Sequence, residues 1–215
     1  PGFYYLLALP FWLTQGDPYS GVVLMWVFGI GAIALAVFVG KKIFSSTLMG
    51  VLLGILVAST PSLIAHARFT WNPHPSSFFI ILLLYFIYLA EKKPRFLFLS
   101  AFTAAFLYNF DLAIAVPLTL TLVLYAIFIL KIRKLKQYLW LFVGFFLGYL
   151  PMIFFEVKHG FQGSKNMLAY LATRPEPKAD TSHMEIISGH VNSFIINFTT
   201  AFSTYNHISW ILVAL

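Results

Sequence analysis

Three short polar stretches interrupt an otherwise apolar chain and hold the side chains able to do chemistry. They are Arg68, Asn72 and His74 in RFTWNPHP, Asn109 and Asp111 in YNFD, and Glu156, Lys158 and His159 in FFEVKHGF. Arginine stays charged and can grip a phosphate through paired N–H donors. Arg68 is therefore a candidate for a lipid-linked phosphate, set against ordinary snorkelling towards headgroups. Asn72 and His74, each followed by proline, can serve a sugar hydroxyl, a phosphate or a metal. The competing readings are an Asx-type turn for Asn72 and plain exposure for His74. Asp111 brings an acid into apolar surroundings, where a charge is expensive and marks function by default. It is equally well placed to cap the helix that follows.

Lys158 and His159 offer cations to a phosphate, and Glu156 offers a partner to Arg68. The alternative there is a solvated helix end with an internal Glu–His or Glu–Lys contact. No HExxH or comparable histidine pair is present, and there is no cysteine, so no metal centre is assigned. P-loop, GxSxG and nucleotide-binding glycine fingerprints are missing too.

The elements that must position these residues follow from composition. Hydrophobic residues make up 60% of the chain and charged residues only 10%, against about 25% charged in soluble proteins. This predicts an all-α polytopic transmembrane helix bundle forming a single membrane domain. Its six spans lie near residues 19–39, 46–65, 76–90, 96–108, 112–130 and 138–155, and residues 193–215 begin a truncated seventh. Residues 1–18 are expected as an outer-face interfacial segment, with Tyr4, Tyr5 and Trp12 at headgroup level. Residues 156–192 form an outer loop holding a short amphipathic helix and a proline-rich turn.

Charge sets the sidedness. Nine of the fourteen Lys and Arg residues fall in alternate turns: Lys41, Lys42, Lys92, Lys93, Arg95, Lys131, Arg133, Lys134 and Lys136. The only acid among them is Glu91. Positive turns face inward, which places PGFYY, RFTWNPHP, YNFD and FEVKHGF together on the outer side. The net charge of +7 is thus a topology signal, and a nucleic-acid partner is not expected. At 1.5 Å per residue the third and fourth spans reach only about 22 and 20 Å, against a hydrocarbon core of about 30 Å. Their outer turns are expected to be recessed and to line a polar cavity, although bilayer thinning or tilting achieves the same match.

PGFYYLLALPFWLTQGDP, AHARFTWNPHPSSFFIILLLY and LGYLPMIFFEVKHGF resemble, in arrangement and short motifs, the integral-membrane glycosyltransferases of the GT-C fold. The nearest likeness is to the glycosyltransferase family 39-like branch of protein O-mannosyltransferases and lipid A aminoarabinose transferase. It covers about Pro1 to Phe161. The resemblance implies inverting transfer from a polyprenyl-phosphate sugar to a lipid, glycan or protein acceptor, on the extracytoplasmic side of a bacterial plasma membrane. It also implies a general-base aspartate in the first outer loop, expected before Pro1, so that the chain is read as an excerpt. Arg68, Lys158 and His159 would stabilise the departing phosphate, while Asn72, His74 and Asp111 would line the sugar pocket, with Asn109 and Glu156 also among the substrate-binding residues. Where many members carry an acid this chain has Asn72, and no cofactor is expected. The alternative is a transporter or flippase of lipid-linked saccharides, which predicts polar groups near the midplane and paired broken helices. A membrane scaffold, needing no recessed polar turns, is a third possibility.

Overall fold

A computed structural model describes residues 2–173 and 183–202, which are helical with no strand among them. The proline-rich turn expected at 174–180 and the end of the seventh segment, 203–215, lie outside the described residues. The helices are α1 (Gly2–Leu13), α2 (Tyr19–Phe44), α3 (Thr47–Ser59), α4 (Pro61–His66), α5 (Ser76–Lys92), α6 (Leu97–Phe106), α7 (Leu112–Leu124), α8 (Leu135–Lys158), α9 (Gln162–Ala172) and α10 (His183–Phe202). They divide into two compact units, residues 1–59 with 63–155 and residues 60–62 with 156–215.

Local chemistry accounts for most of the boundaries. The Asp17 carboxylate accepts from Tyr19 N–H at 2.9 Å and opens α2, and Ser45, at φ 52°, ends it in the left-handed region. The stretch expected as one span over 46–65 is two helices, α3 and α4. Pro61 lacks an N–H and biases Thr60 away from helical angles, so the helix breaks there. The stretch expected over 96–108 is α6, flanked by 3-10 turns at Pro94–Phe96 and Leu107–Asn109. α7 continues through a π turn, Tyr125–Ile129. Among the described residues three helices are long and apolar enough to cross a membrane: α2, α7 with its π turn, and α8. α3 and α5 are shorter, with 13 and 17 residues.

Lipid offers no hydrophobic drive between helices, so contacts there depend on small residues that let backbones approach. α8 places Gly144 and Gly148, one turn apart, against α6. A Cβ on Gly148 would strike the Phe102 carbonyl and come within 2.9 Å of the Ala105 Cβ; one on Gly144 would meet the Phe98 carbonyl. The facing Ala101 and Ala105 are fully buried. Gly50 and Gly54 repeat the device on α3, against Val37 of α2. Large apolar side chains such as Phe128 and Phe142 remain exposed on α7 and α8, as lipid-facing surfaces require.

Candidate functional site

The turn from Ala67 to Pro75 is pinned at three points. Thr70 lies against Gly21 of α2, so close that a Cβ there would come within 2.6 Å of its hydroxyl. Asn72 Nδ2 donates to the Phe110 carbonyl. His74 folds back onto its own turn, with Nδ1 at 2.8 Å from the Phe69 carbonyl. A carbonyl only accepts, so in the neutral ring Nδ1 carries the proton and Nε2 is left as an acceptor. That Nε2 is buried and has no hydrogen-bond partner among the described residues.

The YNFD stretch forms the second wall. Asn109, 4% exposed, accepts from Gly2 N–H through Oδ1 at 3.1 Å and donates through Nδ2 to the carbonyls of Phe106 (3.1 Å) and Gly148 (3.3 Å). It joins α1, the end of α6 and α8 through one amide. Asp111 adopts the cap geometry, accepting from Ala113 N–H at 2.9 Å and opening α7. Under both asparagines lies an aromatic floor. Phe110 is edge-on to Phe3 and Phe106, at centroid distances of 6.4 and 5.3 Å, and 5.0 Å from Phe79.

PGFYY, WNPHP and YNFD, far apart in sequence, are therefore one hydrogen-bonded assembly. Asn72 and Asn109 use amide groups on the protein itself and act as braces. Arg68 stands exposed on the turn. His74 departs from the exposed state that a polar turn ordinarily gives, being 5% exposed. It stacks on His66 at 4.5 Å and 12° and meets Phe69 edge-on at 4.5 Å. The two imidazoles line a cavity of about 280 Å³ together with Met25, Trp26, Ile30, Ile64 and Ser77. His66 was not among the candidates from sequence, and two histidines across one turn give no signal that they will stack.

Glu156, Lys158 and His159 belong to the second unit. Glu156 Oε2 accepts from Ser164 N–H at 2.9 Å and Ser164 Oγ at 2.8 Å. The carboxylate therefore lies at the start of α9, where the helix dipole favours negative charge. Lys158 and His159 are exposed. Among the described residues no group of His, Cys, Asp and Glu is placed to hold a metal ion.

Compared with protein-family models, curated proteins and solved structures, the chain matches none.

Two consequences are measurable. Asn109→Ala removes one acceptor and two donors from a buried junction, leaving partners unsatisfied at about 1–3 kcal/mol each when water cannot reach them. Equilibrium unfolding in detergent is expected to show a loss of at least about 3 kcal/mol. The second consequence concerns pH. Burial pushes the His74 pKa below its usual 6.5, only partly offset by the Phe69 carbonyl, and the nearby His66 lowers it further. Burial lowers that of His66 in the same way. Between the lowered folded value and the ordinary one, the unfolded chain binds more protons, so stability rises with pH across that window. It is complete above 6.5 and is lost on acidification. Thermal unfolding followed from neutral to mildly acidic pH is expected to show a falling midpoint, with a shallower slope in His74→Gln.

Proposed function

We propose that the chain forms part of a membrane glycosyltransferase that uses a polyprenyl-phosphate sugar, with its site on the outer face. On this reading six segments cross the bilayer, the basic turns face inward, and the fold is of the GT-C type. The observation that supports it most is the joining of three outer stretches through Gly2–Asn109 and Asn72–Phe110. This bracing gives Arg68 a fixed base beside a cavity lined by His66 and His74. Arg68 would hold the phosphate and draw charge from it as the sugar leaves. Asp111, with one carboxylate oxygen engaged at the cap, would offer the other to a sugar hydroxyl.

The test is reconstitution of the protein containing this chain in vesicles with a radiolabelled polyprenyl-phosphate sugar. Movement of label into an acceptor, with release of polyprenyl phosphate, is expected. Passage of intact donor across the bilayer without transfer would sink the enzyme reading in favour of a flippase.

A further inference from the structure

We propose that the basic turn between α7 and α8, Lys131 to Lys136, binds the phosphate of an anionic phospholipid in the inner leaflet. Sidedness asks only that this turn be positive; its construction goes further. Lys131, Arg133, Lys134 and Lys136 are all exposed, whereas Ile132 between them is buried. The turn is held rigidly. Gln137 Oε1 accepts from the N–H groups of Arg133 and Lys134, both at 3.0 Å, and Tyr138 Oη donates to the Ile132 carbonyl at 3.2 Å. Ile132 N–H in turn donates to the Ala126 carbonyl at 3.2 Å. The two backbone donors are thereby taken, and side chains must do the binding.

Without an anion this arrangement is unfavourable. Four cations fall within six residues that hold no acid. Lys136 lies in the first turn of α8, where the helix dipole opposes a cation. Lys41, Lys42 and Lys92 meet the same topological need in the last turns of α2 and α5, where the dipole favours them. Lys131 is also held at φ 50°, an uncommon conformation for a residue with a side chain. Glu91, the one acid of the inner turns, accepts from the Tyr125 hydroxyl.

A lipid fits better than a soluble phosphate because apolar surface begins directly beside the cations. Phe128 and Ile129 on one flank and Leu135 and Leu139 on the other are 67%, 61%, 74% and 51% exposed. They offer acyl chains a surface continuous with the phosphate site. Lys136 also lies 5.9 Å from the Trp140 ring centroid, and tryptophan favours headgroup depth. Arg133 supplies the paired donors a phosphate prefers.

The experiment is purification from membranes of equimolar phosphatidylglycerol and phosphatidylcholine. Washing in neutral detergent follows, and the retained lipid is measured by mass spectrometry. Enrichment of phosphatidylglycerol that fades with salt is expected. Each cation that touches the bound phosphate is worth about a fivefold factor, so Lys131→Gln, Arg133→Gln and Lys134→Gln combined should lower the enrichment more than about tenfold. Lys41→Gln, Lys42→Gln and Lys93→Gln combined, an equal charge change elsewhere, should leave it within about twofold. Gln137→Ala keeps every cation but releases the turn, and is also expected to lower retention. If the first triple variant does not insert, Lys131→Gln alone carries the test, with an expected loss of about fivefold. Equal losses in the two triple variants, no enrichment in the parent, or displacement by free glycerol phosphate would each overturn the proposal.

Discussion

Arg68→Ala is expected to lower transfer from a polyprenyl-phosphate sugar by about 10²–10³-fold, the range for removing one well-placed donor to developing charge. The side chain is exposed, and exposed substitutions usually change stability by less than about 0.5 kcal/mol, so unfolding does not explain such a loss. Negative charge on the leaving phosphate grows towards the transition state, and kcat should therefore fall more than KM rises. Arg68→Lys keeps the charge but not the fork and should fall between parent and alanine. Asp111→Asn supplies the contrast. Asparagine caps a helix about as well as aspartate, so the bond to Ala113 survives while the charge is lost. A drop in turnover with an unchanged unfolding midpoint would assign the carboxylate to substrate. Parent-like turnover in both Arg68→Ala and Asp111→Asn would remove this site from consideration.

The second large effect is expected at Gly148. In Gly148→Val the new Cβ meets the Phe102 carbonyl and the Ala105 Cβ. The first of these is backbone and cannot rotate aside. α6 and α8 must part, which costs about 1–3 kcal/mol as overpacking. Parting also stretches the bond from Asn109 Nδ2 to the Gly148 carbonyl, already 3.3 Å, and loosens the junction that holds Gly2 and Phe106. A total loss of about 3–5 kcal/mol is expected, and the helix propensity gained over glycine, below about 1 kcal/mol, does not offset it. Because both changes break one junction, Gly148→Val and Asn109→Ala should be less than additive in a double-mutant cycle. Full additivity would show that α8 and Asn109 are held independently, contrary to the geometry.

What sequence alone determined is the part of this protein governed by near neighbours. Apolar runs placed the helices, and the acid before LAIAV placed the cap at Asp111. Proline marks where a helix must stop, and Pro61 divides the stretch expected as one span into α3 and α4. The GxxxG spacing in GFFLG, Gly144 to Gly148, is the local signal of the α6–α8 contact. The tertiary structure decided which polar side chains remain available for chemistry. Asn109 bonds to Gly2, 107 residues away, and Asn72 to Phe110, 38 residues away. His74 is buried because its own turn folds it against His66 and Phe69. A polar residue's type states what bonds it can make, but whether protein or ligand receives them depends on which backbone groups packing brings near. For the two asparagines no local pattern carries that information, because Gly2, Gly148 and Phe110 are brought there by distant parts of the chain.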